Sequence, residues 1–244
     1  MVLIFNKEWF EDGSLKNPIR SIDHDLETYY PDFYYVNYET KLLAATTPTK
    51  QERESIIYND YLDKYGTTEL NLLVAELQKS NCKNIFLSGF TQELFDYIIP
   101  YIKATAEIIY FFKCPKISDL SALSKFSNLK CVHIFYNNSL TKLWNMSKCE
   151  KFKVLSFKTV TRLTNIDELK DSFVEYIHID SLDNYGHKKP ALFTVPALNE
   201  FPYLKHLYIN FKNCKIIENF EQNCTRFTHE FSENTSKTTK SQMH

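Results

Sequence analysis

Glycine is scarce in this chain, with four residues among 244. Phosphate-cradling loops need backbone that closes on a ligand with no Cβ in the way, so a glycine-rich nucleotide loop is not expected. An excess of one charge is also missing: 29 Lys and Arg face 30 Asp and Glu, a net charge of −1. Gripping nucleic acid by counterion release calls for a basic excess or stripe, and none stands out. No apolar run approaches the roughly 20 residues of a membrane span. The run Val2-Leu-Ile-Phe5 is far too short for a signal-peptide core. The six cysteines, Cys82, Cys114, Cys131, Cys149, Cys214 and Cys224, form no CxxC pair, so zinc-site spacing is absent. With no secretion signal they read as reduced thiols, and a cytoplasmic protein is expected. No cofactor is implied.

What the chain does have is aromatic side chains, 15% of all residues, and a repeat. The strand-like pattern is apolar, two others, apolar, one other, apolar. It occurs as Cys82-Lys-Asn-Ile85-Phe-Leu87, Ala106-Glu-Ile-Ile109-Tyr-Phe111, Leu129-Lys-Cys-Val132-His-Ile134, Phe152-Lys-Val-Leu155-Ser-Phe157, Val174-Glu-Tyr-Ile177-His-Ile179 and Leu204-Lys-His-Leu207-Tyr-Ile209. Its central residues lie 24, 23, 23, 22 and 30 positions apart. Alternation alone is common in strands, but six copies at nearly constant spacing indicate stacked units. The longest step holds the loop Asn184-Tyr-Gly-His-Lys-Lys-Pro190.

Between strands, apolar residues recur every three positions: Ile117, Leu120, Leu123, Phe126, Leu129, then Leu140, Leu143, Met146, Cys149, Phe152, then Leu163, Ile166, Leu169. That spacing suits a 3₁₀-like return packed inward. One strand with one return cannot bury its apolar side alone, whereas a stack of such units can.

The segment Ile117-Ser-Asp-Leu-Ser-Ala-Leu-Ser-Lys-Phe-Ser-Asn-Leu-Lys-Cys-Val-His-Ile134 resembles a leucine-rich repeat of the short bacterial type seen in internalins. The resemblance covers roughly residues 81–216. It implies that Asn137, and Cys114 in its place one unit earlier, satisfy backbone groups in the turn after each strand. Phe90, Val160, Leu182 and Lys212 hold that place in other units, which implies irregular turns there.

The fold expected is α/β: a leucine-rich-repeat solenoid with a parallel β-sheet face over residues 81–216. A mixed α/β N-terminal cap spans 1–80, a C-terminal cap 217–232 and a disordered polar tail 233–244. In the N-terminal part, 33–38 and 41–45 read as strands. A capping box opens a helix at Thr49, running to about Asp63. A second helix over 69–79, capped by Thr68, carries Leu70, Leu73, Val74 and Leu77 on one face.

In each strand the residues between the apolar positions point to the other face of the sheet. They form three columns. Asn84, Ile108, Cys131, Val154, Tyr176 and His206 make the first, and Phe86, Tyr110, His133, Ser156, His178 and Tyr208 the middle one. The third is Ser88, Phe112, Phe135, Lys158, Asp180 and Asn210. Exposed aromatics on a sheet are costly, so either a partner or the chain itself covers this face.

The functional expectation is a non-enzymatic protein-binding module in an immunity or adaptor role. Phe86, Tyr110, Phe112, His133, Phe135, Lys158, His178, Asp180 and Tyr208 would contact a protein partner, not nucleic acid or membrane. Three other clusters carry chemistry on paper. His178, His206 and Asp180 could ligate a metal, and Cys131 with His133 could form a nucleophile–base pair. Asp23-His24-Asp25 with Glu27 could do acid–base work. The first two lack the spacing their chemistry requires and the third reads as a solvated loop, so no catalytic or metal residue is assigned. The alternative is an enzyme with its active site in the N-terminal region and the repeats as substrate reader.

Overall fold

The structure, a computed structural model, describes residues 4–6, 42–46, 70–79, 83–180, 193–195, 200–210 and 214–216. Expectations for 33–38, the helix at 49–63, the loop 184–190, the acid–imidazole cluster 23–27 and the tail lie outside these residues, as do the turns at Leu182 and Lys212.

All six repeat segments are strands: β3 (Asn84–Ser88), β4 (Ile108–Phe112), β5 (Cys131–Asn137), β6 (Val154–Val160), β7 (Tyr176–Asp180) and β9 (His206–Asn210). They hydrogen-bond side by side in chain order, each parallel to the last. The register is the one the repeat predicts: Ile85 faces Ile109, then Val132, Leu155, Ile177 and Leu207. At the first edge, β2 (Leu42–Thr46) adds in parallel to β3, and β1 (Ile4–Asn6) pairs antiparallel to β2. A separate pair joins β8 (Phe193–Val195) to β10 (Cys214–Ile216), which the spacing of the repeat did not anticipate. The protein is thus α/β with a largely parallel sheet and few helices.

One side of the sheet holds the core. Leu87, Ile109, Phe111, Val132, Ile134, Leu155, Phe157, Ile177 and Ile179 alternate along the strands and are buried in a single cluster. Every residue of the three-step series from Ile117 to Leu169 is buried in the same cluster. Short 3₁₀ turns at Ser121–Lys125 and Asp167–Leu169 carry part of those returns. Each buried Phe or Leu there contributes about 2 kcal/mol from lost apolar hydration. Helix α1 (Leu70–Lys79) docks at the same side with Leu73 and Leu77 buried and Leu70 packed against the cluster. A helix that periodicity did not reveal, α2 (Gln92–Ile98), follows β3. The Thr91 hydroxyl caps it by accepting from the Leu94 amide at 3.3 Å.

The bends at the C-terminal ends of β3, β4, β5 and β6 are alike. Gly89, Lys113, Tyr136 and Thr159 all have positive φ, at 71°, 48°, 58° and 60°. They fall one residue before Phe90, Cys114, Asn137 and Val160. The left-handed step therefore recurs with the repeat whatever residue fills the following place. The irregularity expected at Phe90 and Val160 is absent from the backbone, because the bend is set by hydrogen bonds between rungs: Gly89 donates to the Phe112 carbonyl at 3.2 Å and Lys113 to that of Phe135 at 2.8 Å.

Asn137 is buried and uses its whole amide. Its Nδ2 donates to the carbonyls of Cys114 and Ile117 at 2.8 and 2.9 Å, and its Oδ1 accepts from the amides of Ser139 and Leu140 at 2.8 and 2.7 Å. One side chain thereby satisfies four backbone groups and ties two successive units together. Cys114 does less, its thiol donating to the Leu87 carbonyl at 3.4 Å. Burial pushes that thiol up to about 12, so it stays protonated.

Candidate binding face

Strand alternation places the three predicted columns on the side of the sheet away from the core. Among the described residues, six hydrophobic ones are buried outside the main core cluster: Phe86, Ile108, Tyr110, Cys131, Val154 and Tyr176. All belong to the first and middle columns. Asn84, His133, Ser156 and His178 in the same columns are buried too. The face is therefore not open across its width. Of the expected contact residues, Phe86, Tyr110, His133 and His178 are buried.

The third column differs. Ser88, Phe112, Phe135, Lys158 and Asp180 are all half-buried, as is Tyr208 at the end of the middle column. Phe112 and Phe135 stack at 5.1 Å with their planes 12° apart, and Phe86 stacks beneath Phe112 at 5.8 Å. The Lys113 ammonium lies 5.3 Å from the Phe112 ring centre. Register makes this happen: Phe86 sits two residues before the end of its strand, while Phe112 and Phe135 are direct neighbours across β4 and β5. Lys158 and Asp180 continue the same row on β6 and β7. The row thus runs from aromatic to charged along the C-terminal ends of the strands.

The middle column carries a polar line. Tyr110, His133, Ser156, His178 and Tyr208 are register partners across five strands. His178 and Tyr208 stack at 4.5 Å. Neither ring nitrogen of His133 has a hydrogen-bond partner. Burial, with help from the nearby His178 and Lys158, pushes its imidazole down to about 3, so it is neutral. Neither Cys131 nor Ser156 hydrogen-bonds to it, so the arrangement does not activate a nucleophile through His133. Among the described residues no three His, Cys, Asp or Glu side chains come close enough to hold a metal ion. No described helix is long and apolar enough to cross a membrane. Cys114, Cys131 and Cys149 are buried thiols that form no disulfide.

A feature the repeat analysis passed over lies one residue ahead of each strand. Lys83, Glu107, Lys130, Lys153, Glu175 and Lys205 occupy that position in β3, β4, β5, β6, β7 and β9. Glu107 pairs with Lys83 at 2.7 Å and Lys130 at 2.6 Å; Glu175 pairs with Lys153 at 3.1 Å and Lys205 at 2.5 Å. Reading the sequence in register at that offset would have found the column.

No family model, curated protein or solved structure matches this chain.

Proposed function

We propose that the chain is a leucine-rich-repeat solenoid that works as a non-enzymatic recognition module, binding a partner protein along the half-buried row Phe112, Phe135, Lys158 and Asp180. The observation that carries this is the stacked Phe112–Phe135 pair, held only part-buried at the ends of adjacent strands. Ring stacking fixes both side chains before anything binds, which lowers the entropy lost on association. Aromatic anchors beside a charged rim are what a protein partner uses: an apolar side chain over the rings and polar groups toward Lys158 and Asp180. The buried part of the expected site, Phe86, Tyr110, His133 and His178, then supports the row from beneath, and Tyr208 marks its far end. The in-register stacking of six similar strands supports the repeat reading, and a cytoplasmic immunity or adaptor role fits a preformed binding surface of this kind.

The test is cross-linked pull-down from native lysate with wild type and a Phe112→Ala/Phe135→Ala variant, compared by quantitative mass spectrometry. The variant should lose a protein that the wild type enriches, with its circular dichroism unchanged. Identical captured sets from the two chains would overturn the assignment of this row.

A further inference from the structure

The column ahead of the strands alternates sign with one fault. Lys83–Glu107–Lys130 and Lys153–Glu175–Lys205 are two closed triads in which each carboxylate holds two ammonium groups. They abut at Lys130 and Lys153, on neighbouring rungs joined by the Lys153 amide donating to the Lys130 carbonyl at 2.8 Å. Backbones there lie about 4.8 Å apart, and among the described residues no carboxylate is ion-paired to both lysines. Each glutamate carries charge: burial opposes it, but the paired lysines outweigh that and hold both carboxyls below the usual range. Four cations to two anions leave the column with two positive charges in excess, and at the fault the Lys130 ammonium is drawn back to Glu107 while the Lys153 ammonium is drawn on to Glu175 and the Phe173 carbonyl.

The returns leading into β5 and β6 add to the excess. Lys148 and Lys151 are exposed, and neither has an acidic partner among the described residues; Lys151 donates to the Asn128 side chain at 2.6 Å, which turns it toward the preceding rung. Glu150, exposed between them, is the one acid in the segment 147–153. Lys125, exposed on the return leading into β5, turns its ammonium to the Ile99 carbonyl. An aromatic shoulder completes the place. Phe173 and Tyr203 stack at 5.0 Å with the Lys153 ammonium near both rings, and Tyr203 is 48% exposed.

We propose that this edge is a second binding surface, at which Lys130 and Lys153, with Lys148 and Lys151 at the rim, receive an acidic stretch of a partner protein. A carboxylate lodged between Lys130 and Lys153 restores the alternation that the column otherwise keeps. The patch is short, bounded one rung away on each side by Glu107 and Glu175. A nucleic-acid strand repeats its phosphates along its length and would meet both glutamates, whereas a compact pair or trio of Asp and Glu side chains would not. Tyr203 offers an apolar contact to whatever flanks the acids. The surface is independent of the Phe112–Phe135 row, at the opposite ends of the strands.

Fluorescence anisotropy tests this with a labelled peptide of alternating Glu and Ala, its Gln-for-Glu analogue and a labelled oligothymidylate of equal length, at low salt. The Glu peptide should bind about tenfold more tightly than the Gln peptide and lose that advantage as salt rises. A Lys148→Glu/Lys151→Glu variant, whose exposed positions leave the fold intact, should weaken the Glu peptide about tenfold. Lys130→Gln should weaken it too, while Phe112→Ala/Phe135→Ala should not. Equal binding of the two peptides, an unaffected lysine variant, or tighter binding of the oligonucleotide than of the Glu peptide would each overturn the proposal.

Discussion

The two sides of this sheet are both buried over most of their area, yet they are built on different terms. On the core side the strands present Ile85, Leu87, Ile109, Phe111, Val132, Ile134, Leu155, Phe157, Ile177 and Ile179, with no polar atom among their side chains. On the other side, buried Asn84, His133, Ser156 and His178 mix with buried Phe86, Tyr110 and Val154. The first side is held by volume and hydrophobic burial alone, so its cost of disruption is the cost of a cavity. The second side also removes polar groups from water, and His133 receives no hydrogen bond in return. A sheet face of that second kind contributes less stability per area buried and is the more easily changed of the two.

Truncation separates them most sharply. Phe157→Ala, in the middle of the core side, should cost about 4 kcal/mol by urea or guanidinium unfolding, the transfer loss plus the cavity. Cys131→Ala on the other side, one strand away, should cost about 1 kcal/mol, since it removes one small group. Comparable losses would mean that the two sides bear equal weight and would end the contrast.

Asn137 tests whether the turns tie the units as firmly as the core does. Asn137→Ala strands the carbonyls of Cys114 and Ile117 and the amides of Ser139 and Leu140 in a buried place, and should cost about 3 kcal/mol. Cys114→Ala, which removes the thiol's weak contacts with the Leu87 and Phe112 carbonyls, should cost about 1 kcal/mol. The ratio of the two, read from equilibrium unfolding, measures how much of the connection between successive rungs is side-chain hydrogen bonding.

His133 sharpens the comparison through pH. Its imidazole stays neutral when folded down to about 3, whereas an unfolded histidine titrates near 6.5. As pH falls below 6.5 the unfolded chain takes up a proton that the folded chain refuses, so stability drops. Between pH 6.5 and 4.5 this one residue should cost about 2–3 kcal/mol. His133→Leu should keep or slightly raise stability at pH 7, because it deletes two unpartnered buried nitrogens, and it should flatten the acid slope by that same amount. Ile134→Val, its neighbour on the core side, should lower stability by about 1 kcal/mol at both pH values and leave the slope alone. A His133→Leu chain as acid-sensitive as wild type would show that His133 is hydrated in solution.

The contrast between the sides also explains what could be read in advance. The strands, their order and their register were legible because the apolar residues at 85, 109, 132, 155, 177 and 207 repeat with a rung's length. Parallel stacking follows from that spacing. The buried returns were legible for the same reason, through steps of three. Helix α2 was not, since Gln92–Ile98 has two turns only and its apolar residues merge into the core without a clean stripe. The pairing of β8 with β10 joins two segments of three residues each, too short to show a pattern. For the candidate site, alternation told which residues share a face but could not tell whether that face is covered. Phe86, Tyr110 and His133 look the same in sequence whether they meet water or protein. Their burial follows from tertiary packing, which leaves no mark at spacing two.

The smallest expected effect concerns the bend at the ends of β3, β4, β5 and β6. Four residues at equivalent places share a positive φ, and one of them, Gly89, is a glycine, for which that conformation costs nothing. Lys113 and Tyr136 adopt it at a cost, because their Cβ crowds the carbonyl, and each stores about 1 kcal/mol. Lys113 is exposed, so replacing it disturbs no packing beyond its place over the Phe112 ring. Lys113→Gly should therefore gain up to about 0.5 kcal/mol, the relief of strain less the added freedom of the unfolded chain and the lost ring contact. Lys113→Ala keeps the Cβ and should gain nothing. A thermal shift of the glycine variant above the alanine variant would separate backbone strain from the loss of the ammonium. If the two variants melt together, the left-handed step is not strained at Lys113, and the repeat tolerates any residue there without cost.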